Sequence, residues 1–352
     1  MIADKPVARV MVCDDSAVIR GAVTRMLESD PAVRVVARAG NGQAAIDELR
    51  RTAVDVLVLD IEMPVMDGMT ALPLLLRADP TLKVLMSSTL TTRGADIALR
   101  ALRLGAADYV PKPSAVLGDD GFRRELLEKV KGLARLHRRA AAPAREAPSL
   151  HLQLRPAPMF AARLLAIGSS TGGPQALFTL VEGLGKAVSV PVVMTQHMPP
   201  TFTKILAEHI TRLGGLPCAE ATDGEALQAS RIYLAPGDRH LLIEARQGGL
   251  CARLSDAPPE NFCRPSVDPM LRSAAAACNG RVLTTILTGM GQDGLIGTRA
   301  IVEAGGAAVA QDEATSVVWG MPGAIAQAGL CHAVLPLPRI APKLLEMLQR
   351  RL

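Results

Sequence analysis

Three polar residues in the second half of the chain have the types and spacing of a hydrolytic triad. The apolar run RLLAIG leads into Ser169 and Ser170, VPVVMTQ leads into His197, and RVLTTILTG leads towards Asp293. Each run is typical of a buried strand, and the carboxyl ends of parallel strands meet at one edge of a sheet. A serine, a histidine and an aspartate at that edge could act as nucleophile, general base and orienting carboxylate.

The stretch AIGSSTGGPQA, which contains both serines, has more than one interpretation. Glycines before and after the serines permit a sharp turn from a strand into a helix. The backbone amides behind such a turn could stabilise a developing negative charge, as in a nucleophilic site. They could equally bind a phosphate at the helix N-terminus. The residues of this stretch alone do not choose between the two readings, or between the two serines.

A rival interpretation comes from the glycines around Asp293. The string GMGQDG at 289–294 has the spacing G-x-G-x-x-G and follows a β-rich run, and Asp312 lies where a ribose-binding acid would stand. This spacing favours a dinucleotide-binding half. Against it, only about 60 residues follow the motif, so earlier strands would have to complete the site.

A second set of polar residues follows the strand-like runs of the first third of the chain. Asp14 and Asp15 follow ARVMVC, and Asp60 ends VDVLVLD. Ser88 ends KVLMSS, and Lys112 lies within ADYVPKP. Three clustered carboxylates favour a divalent cation such as Mg²⁺, and a carboxylate beside that ion can attack phosphorus. An amine and a hydroxyl can then bind the phosphoryl oxygens, so these residue types predict a phosphate-accepting aspartate.

Both halves of the chain are predicted to be doubly wound α/β structures. Five short β-rich runs in the first third alternate with amphipathic segments such as SAVIRGAVTRMLES. Repeats of this kind imply a parallel sheet with helices on both faces. The alternation resumes at about residue 160, with an additional Pro- and Gly-rich part at 222–269. That part predicts an antiparallel excursion with loops.

The predicted domains are residues 1–136 and 159–352, with a linker at 137–158. The segment FRRELLEKVKGLARL predicts the last helix of the first domain, and the following HRRAAAPAREAPSLHLQLRPAP is rich in Ala, Pro and Arg. It has little apolar periodicity, which is typical of an extended linker. Basic residues concentrate between Lys129 and Arg145, and we expect them to be solvated.

The composition excludes several classes of function. The 352 residues suggest two domains, and an aromatic content of 2% predicts aliphatic cores. The net charge of +5 comes without a basic face interleaved with aromatics, so no nucleic-acid partner is expected. The N-terminal stretch MIADKPVARV has an early acidic residue and no long apolar run, so we expect no signal peptide. No apolar run approaches 18 residues, so we expect no membrane insertion. The six cysteines form no CxxC pair, which favours reduced thiols in a cytosolic protein.

The first third of the chain resembles the receiver domains of bacterial two-component systems. The strings VCDDS, LDIEMPVMDG, MSST and YVPKP carry the resemblance, which covers about residues 7–130. It implies a flavodoxin-like fold, a histidine kinase as phosphodonor and Mg²⁺ as the cofactor of phosphorylation. The implied residues are Asp60 as phosphate acceptor, Asp14, Asp15 and the Glu62 carbonyl on the metal, Ser88 and Lys112 on the phosphoryl group, and Tyr109 at the aromatic switch position.

The second half resembles the catalytic domain of chemotaxis-receptor protein-glutamate methylesterases of the CheB type. The resemblance rests on IGSSTGGPQAL, TQHMPPTFT, YLAPGDRH, RPSVDPML, ILTGMGQDG and MPGAIAQAG. The resemblance implies Ser170 as the nucleophile, because it aligns as the residue before Thr-Gly-Gly. Members of this family often have alanine where this chain has Ser169, so a second hydroxyl stands beside the first. The other implied residues are His197 as base, Asp293 as the third triad member, the Met290 amide as oxyanion donor, and Thr171 as a support beside the nucleophile.

The joint resemblance implies a cytoplasmic response regulator that is also an esterase. It would hydrolyse γ-glutamyl methyl esters on methyl-accepting chemotaxis receptors, release ammonia from receptor glutamines, and need no cofactor for hydrolysis. Phosphorylation of Asp60 would release the catalytic edge. Two alternatives remain at this point. The second domain could be non-catalytic and serve to bind partners or DNA. It could also be a nucleotide-binding domain built on the glycine motifs.

Overall fold

A computed structural model describes residues 7–89, 91–112, 120–141, 152–156 and 161–349. The chain divides into two compact units, Met1–Pro148 and Ser149–Leu352. Each unit is built on its own parallel sheet, as the alternating sequence pattern predicts. Within the described residues no helix is both long and apolar enough to cross a membrane.

The first unit is a five-stranded parallel sheet with helices between the strands. The strand order in its described part is β2-β1-β3-β4-β5, which confirms the doubly wound prediction. The strands are β1 (Ala8–Cys13), β2 (Val33–Ala39), β3 (Val56–Asp60), β4 (Lys83–Ser88) and β5 (Asp108–Pro111). The helices are α1 (Ala17–Glu28), α2 (Gly42–Leu49), α3 (Gly68–Ala78), α4 (Thr92–Arg103) and α5 (Asp120–Ala141).

Side-chain caps fix the start of each of the first four helices. Ser16, Asn41, Asp67 and Thr91 are the N-cap residues, and each side chain accepts a hydrogen bond from the backbone amide three positions later. A cap of this kind stabilises a helix by about 1 kcal/mol. Because the caps follow the carboxyl ends of the strands, they also fix the loops at the edge of the sheet that carries the acidic residues.

The last helix of the first unit extends into the segment predicted as a linker. Helix α5 continues to Ala141, and His137 within it is buried. The ring of His137 donates from Nδ1 to the Thr81 carbonyl at 2.9 Å, and its Nε2 lies 3.5 Å from the Asp55 carboxylate. The predicted linker at 137–158 therefore begins too early. Its remaining residues lie mostly outside the described part, and residues 152–156 are joined to the second unit through the Arg155 amide, which donates to the Cys331 carbonyl.

Lys129 also departs from the expectation of a solvated basic segment. Its side chain is only 5% exposed, and its ammonium group lies 3.3 Å from the Asp108 carboxylate and 2.9 Å from Glu125. It donates to the Tyr109 carbonyl at 2.6 Å. This lysine is therefore part of the core between α5 and β5, and its charge is paired where burial would otherwise be costly.

The second unit contains a larger parallel sheet and a separate hairpin. Its described strands are ordered β14-β13-β12-β6-β7-β9-β8, and β10 and β11 pair antiparallel. The strands are β6 (Leu164–Ser169), β7 (Val192–Gln196), β8 (Cys218–Glu220), β9 (Ile232–Leu234), β10 (His240–Arg246), β11 (Gly249–Ser255), β12 (Val282–Ile286), β13 (Ala307–Gln311) and β14 (Ala333–Leu335). The hairpin confirms the antiparallel excursion predicted for 222–269.

Helices cover this sheet and complete an aliphatic core. They are α6 (Gly173–Leu184), α7 (Pro200–Arg212), α8 (Val267–Ala277), α9 (Leu295–Glu303), α10 (Met321–Gln327) and α11 (Leu337–Gln349). Every residue of strands β6, β7, β12 and β13 is buried. All six cysteines are free thiols, as predicted. Burial raises the pKa of Cys13 to about 12, which is consistent with a small core residue.

Candidate active site

Three neighbouring strands carry the predicted triad residues to one edge of the second sheet. Strand β6 lies between β12 and β7, and Ser169 pairs in register with Gln196. Ser170 and His197 directly follow these paired residues, and the His197 amide donates to the Ser169 carbonyl at 3.2 Å. The Ser170 amide donates to the Thr288 carbonyl, beyond the end of β12. The chain segments that hold all three residues therefore meet at the carboxyl end of β6.

The two adjacent serines have different environments. Ser169 is fully buried, and its hydroxyl donates to Gln196 Oε1 at 2.7 Å. Ser170 is partly exposed at the start of the turn that leads into α6. A nucleophile must reach its substrate, so this difference in exposure favours Ser170, the residue that the sequence resemblance implies.

The imidazole of His197 is joined directly to the Asp293 carboxylate. His197 Nε2 lies 2.7 Å from Asp293 Oδ2, and the two side chains are 12% and 2% exposed. Burial alone would lower the pKa of His197, but the hydrogen bond to Asp293 and the neighbouring Cys263 sulfur raise it above the usual range of histidine. Because Nε2 is held by the carboxylate, proton exchange with a nucleophile would have to use Nδ1.

The carboxylate of Asp293 lies at the N-terminus of helix α8. It accepts from the amides of Val267 and Asp268, at 2.6 and 3.0 Å. It also accepts from the Ser266 hydroxyl at 2.8 Å and from Asn261 Nδ2 at 2.9 Å. Burial raises the pKa of Asp293, but His197, the Val267 amide and the Ser266 hydroxyl outweigh it and lower the pKa to about 2. Asp293 is therefore a fixed anion that can orient the imidazole and stabilise its protonated form.

The segment that contains Met290 packs against the serine turn. A Cβ atom added at Gly289 would lie 2.9 Å from the Cβ of Ser170, so only glycine permits this approach. The Gly289 carbonyl accepts from the amides of Gly320 and Met321, and the Gly289 amide donates to the Val318 carbonyl. These bonds hold the peptide that precedes Met290 beside Ser170, which is where an oxyanion donor would be required.

Thr171 supports the same turn through its backbone. Thr171 is buried, and its carbonyl accepts a hydrogen bond from the Thr288 hydroxyl at 2.8 Å. The Thr288 amide donates in turn to Gln311 Oε1 at 2.8 Å, on the neighbouring strand β13. The position of the turn is thus tied to two strands besides β6.

Sequence reasoning did not assign a role to several residues that organise this site. Gln196 Nε2 donates to the carbonyls of Ser170 and His197, each at 3.0 Å, so one amide joins the serine turn to the histidine. Asn261 and Ser266 donate to Asp293. Gln196 and Ser266 lie inside the motifs TQH and RPSVD, which is the signal that could have identified them, whereas Asn261 lies in a turn with no such pattern.

A buried histidine supports Ser266 from the other side. The Ser266 amide donates to His240 Nδ1 at 3.1 Å, and His240 Nε2 lies 3.1 Å from the Pro258 carbonyl. A carbonyl only accepts, so Nε2 carries the proton and Nδ1 is the acceptor. His240 is therefore held by hydrogen bonds at both ring nitrogens, and Ser266 connects it to the triad carboxylate.

The glycine motif at 289–294 does not have the surroundings of a dinucleotide site. Gly289 packs against Ser170, as described above. The Asp312 carboxylate, which the rival interpretation assigns to a ribose, accepts from the Thr315 amide at 2.9 Å and from its hydroxyl at 2.7 Å. Its Oδ1 is used in a local turn, so the structure disfavours this alternative.

The predicted phosphoacceptor residues meet at the edge of the first sheet. Ligand atoms of Asp14, Asp15 and Asp60 all lie within 4.8 Å of one another. Lys112 Nζ lies 2.7 Å from Asp60 Oδ2 and 3.6 Å from Asp14 Oδ2. Burial, together with the charge of Asp14, raises the pKa of Asp60 although Lys112 opposes the shift. The concentration of negative charge is only partly neutralised by the lysine.

The same cluster has the donor set of a hard divalent cation. Asp14 Oδ2 and Asp60 Oδ1 are buried and accept no hydrogen bond within the described residues. Buried carboxylate oxygens without hydrogen bonds are costly, and three carboxylates supply the oxygen ligands that Mg²⁺ prefers. Glu62, Asp60 and Lys112 are among the residues that line a small pocket at this edge of the sheet. The residues present therefore fit a magnesium ion.

Ser88 and Tyr109 are placed differently with respect to Asp60. Ser88 lines the pocket together with Lys112, although its hydroxyl donates to the Gly94 carbonyl at 2.9 Å. Tyr109 is buried, is not among the residues that line this pocket, and has the Lys129 ammonium 5.0 Å from its ring centre. Ser88 thus lines the pocket, while Tyr109 is part of the buried core.

Two family models match the chain. The model described as CheB methylesterase matches residues 165–344, and the model described as response regulator receiver domain matches residues 10–117. The first match includes Ser170, His197 and Asp293, and the second includes Asp60 and Lys112. Together they cover both sites described above.

Curated relatives and a solved structure agree with these matches. A protein of Paramagnetospirillum magneticum, named protein-glutamate methylesterase/protein-glutamine glutaminase 1, is 54% identical over 97% of this chain and 97% of its own length. A protein of Azospirillum brasilense, named protein-glutamate methylesterase/protein-glutamine glutaminase, is 54% identical over 97% and 93%. The crystal structure of the Thermotoga maritima CheB methylesterase catalytic domain is 39% identical, covers 53% of this chain and 100% of its own, and has a TM-score of 0.52.

Proposed function

The chain belongs to the CheB methylesterase family, and we propose that it hydrolyses glutamyl methyl esters on chemotaxis receptors under the control of an aspartyl phosphate. The observation that carries the esterase is the 2.7 Å contact between His197 Nε2 and Asp293 Oδ2, next to the partly exposed Ser170. The three residues follow or adjoin the neighbouring strands β12, β6 and β7. The alternative of a second unit that only binds partners or nucleotides is not favoured.

Ser170 is the proposed nucleophile. Its hydroxyl oxygen attacks the ester carbonyl carbon while Nδ1 of His197 takes the proton, and the electron pair of the carbonyl moves onto oxygen. The Met290 amide, held beside Ser170 by the Gly289 hydrogen bonds, donates to that oxyanion. Collapse of the tetrahedral intermediate breaks the bond to methoxide, which leaves as methanol with the proton from His197.

Water completes the cycle by the same proton route. The His197 imidazole takes a proton from water, hydroxide attacks the acyl-serine, and Ser170 leaves with the proton returned to it. The products are a glutamate side chain and the free enzyme. A glutamine side chain passes through the same steps with ammonia as the leaving group, so we propose glutaminase activity at the same site. Neither reaction draws on a metal ion in this scheme.

Asp60 is the proposed phosphoryl acceptor. Its carboxylate oxygen attacks phosphorus of a phosphohistidine on a histidine kinase, and the histidine nitrogen leaves. Mg²⁺ held by Asp14, Asp15 and the Glu62 carbonyl would neutralise charge on the phosphoryl oxygens. Lys112 Nζ lies 2.7 Å from Asp60 and pairs with the new anion, and Ser88 at the same pocket can turn its hydroxyl towards it. Tyr109 is the proposed aromatic switch.

The match to the response regulator receiver domain supports the proposal that phosphorylation controls the esterase. Phosphorylation adds charge and acceptor oxygens at the edge of the first sheet, and such a local change can bias a bistable element. We propose that the chain acts in the cytoplasm, where its six free thiols are stable. Its partners there are a histidine kinase and the receptors that it demethylates.

Methanol release from methylated receptor membranes tests the proposed esterase. Ser170→Ala should lower the rate by about 10⁴-fold or more, because the covalent route is lost. Ser169→Ala is the matched control, since its hydroxyl lies in the interior and bonds to Gln196. We expect it to retain activity within about tenfold, the effect of one lost hydrogen bond. Equal activity of Ser170→Ala and the wild type would exclude Ser170 as the nucleophile.

A further inference from the structure

Phe262 is the most exposed large apolar residue in the described part of the second unit. Its side chain is 100% exposed, whereas the other two exposed large apolar residues there, Leu154 and Ile296, are 52% and 58% exposed. Its backbone has a φ of +62°, a conformation that is unfavourable for a residue with a Cβ atom. Neither burial nor backbone preference accounts for an aromatic residue at this position.

Contacts on both sides hold Phe262 next to the triad. Asn261 Nδ2 donates to Asp293 Oδ1 at 2.9 Å and to Asp268 Oδ2 at 3.0 Å. Cys263, the residue that follows, lies near enough to His197 to raise the pKa of its ring. The amides and carbonyls of Glu260 and Cys263 bond to each other across the turn. Unfavourable backbone conformations persist where surrounding contacts determine them, and they cluster at functional sites.

Ile296 belongs to the same region through the other oxygen of Asp268. The Gly297 amide donates to Asp268 Oδ1 at 2.7 Å, while Asn261 donates to Oδ2 of the same carboxylate. Phe262 and Ile296 are each one residue away from these two donors. We call these two residues the Phe262–Ile296 surface. Leu154 belongs to a different part of the unit, because its neighbour Arg155 bonds to the carbonyls of Cys331 and Gly329, which precede the edge strand β14.

We propose that the Phe262–Ile296 surface binds apolar side chains of the receptor segment that carries the target glutamyl ester, and so positions the ester at Ser170. This inference rests on the proposed esterase function. The receptor segment is the expected occupant because this surface adjoins the active site. A polypeptide whose ester reaches Ser170 must pass beside the residues that contact His197 and Asp293. Exposed aromatic anchors are typical of such protein contacts, and scattered apolar residues without a partner contribute little to stability.

Two substrates of different size separate binding of the receptor from chemistry. Methanol release is measured for the full chain with methylated receptor membranes and with a small blocked glutamate γ-methyl ester that lacks flanking residues. For Phe262→Ala we expect KM for the receptor to rise about tenfold, because one aromatic contact that becomes buried on binding is lost. Ile296→Ala should have a smaller effect in the same direction. Leu154→Ala, the matched exposed control, should not change KM.

The small ester and a serine-directed fluorophosphonate should be unaffected by these substitutions. We expect kcat/KM for the small ester, and the rate of Ser170 labelling, to stay within about twofold of the wild type, since neither probe extends beyond the triad. If kcat/KM for the receptor, kcat/KM for the small ester and the rate of Ser170 labelling all fell together, Phe262 would act by shaping the triad, and the proposal would be wrong. If the wild type turns over neither substrate and is not labelled, the esterase itself fails, which is a separate result.

Phe262→Gly removes the aromatic ring without straining the backbone at this position. Glycine adopts positive φ without penalty, so this variant should be at least as stable as the wild type while it lacks the aromatic ring. We expect the same rise in receptor KM as for Phe262→Ala. An unchanged receptor KM in the glycine variant overturns the proposal. So does a change of oligomeric state in analytical ultracentrifugation at unchanged KM, because the surface would then join copies of this chain.

Discussion

Asp293 accepts a hydrogen bond from His197 at 2.7 Å, and the first two amides of helix α8 donate to the same carboxylate. The amides and the imidazole all donate hydrogen bonds to this carboxylate, and each of them stabilises its charged form. The carboxylate therefore remains ionised when His197 takes up a proton. The pKa of Asp293 is therefore lowered and the pKa of His197 is raised. This combination favours a protonated imidazole during acyl transfer.

The first prediction concerns Asp293→Asn. The substitution removes the anion that raises the pKa of His197, so that pKa should fall towards its usual range. The base is active only when neutral, that is, above its pKa, so the acidic limb of the kcat profile should move to lower pH. We also expect kcat to fall about 10³- to 10⁴-fold, because the imidazolium loses its partner. Both effects are measured by methanol release between pH 5 and 10.

Asn261→Ala provides a control for Asp293→Asn. It removes one donor to Asp293 but leaves the contact with His197. We expect a smaller loss of kcat and an acidic limb close to that of the wild type. If Asp293→Asn left the acidic limb in place, Asp293 would not be the group that sets the protonation of His197.

The second prediction treats His240 as a positioning residue. His240 Nδ1 accepts from the Ser266 amide, and Ser266 holds Asp293 through its hydroxyl. His240→Leu removes this acceptor and should lower kcat about tenfold, the effect of one lost buried hydrogen bond. His240→Asn should restore most of kcat because its Oδ1 can replace Nδ1 as acceptor. KM should be the same for both variants.

The comparison of the two His240 variants separates positioning from general destabilisation. Both lose the imidazole, so both should unfold at lower urea concentration than the wild type, whereas only the asparagine variant regains kcat. Steady-state kinetics and urea unfolding of the same preparations provide the two measurements. Equal kcat in the leucine and asparagine variants would mean that the acceptor at Nδ1 does not matter.

The strand ends that carry Ser170, His197 and Asp60 could be predicted because they follow apolar runs that fit buried parallel strands. The choice between Ser169 and Ser170 could not be made from residue pattern. Both faces of strand β6 are buried, so the alternation that separates inward from outward residues in a half-exposed strand is missing. The choice came from the family resemblance, and the structure adds the hydrogen bond from Ser169 to Gln196.

Contacts that depend on long-range polar pairing escaped the sequence analysis. His137 and Lys129 lie in a basic, Ala-rich stretch that looks solvated, yet both are buried because Asp55 and Asp108 lie opposite them. Asn261 reaches Asp293 from a turn in which Asn261 and Phe262 have positive φ, a geometry that no local pattern indicates. Periodicity reports where a chain buries apolar surface, but it does not report which distant charge pairs with a buried polar group.

The third prediction concerns the stability of the first unit. Lys129→Met should lower its free energy of unfolding by about 3 kcal/mol, because a buried ammonium is taken away from the carboxylates of Asp108 and Glu125. Lys131→Met is the matched control on the same helix. Its ammonium is 35% exposed and pairs with Asp30 and Glu128, so we expect a loss below about 1 kcal/mol.

Hydrogen exchange measured on the full chain checks this difference. Amides of β5 and α5 should lose protection in Lys129→Met, since Lys129 bonds to the Tyr109 carbonyl and joins these two elements. Protection in Lys131→Met should stay close to that of the wild type. Equal loss in both variants would mean that Lys129 contributes no more than a surface charge.

The fourth prediction tests control by phosphorylation. Acetyl phosphate with Mg²⁺ should raise the rate of methanol release by the wild type, and chelation of Mg²⁺ should prevent the rise. Asp60→Asn should reduce the ratio of stimulated to unstimulated rate to one, because the amide is a far weaker nucleophile towards phosphorus than the carboxylate paired with Lys112. Asp47→Asn removes an exposed carboxylate from the same unit and should keep the wild-type ratio. Full stimulation of Asp60→Asn would place the regulatory phosphoryl group elsewhere.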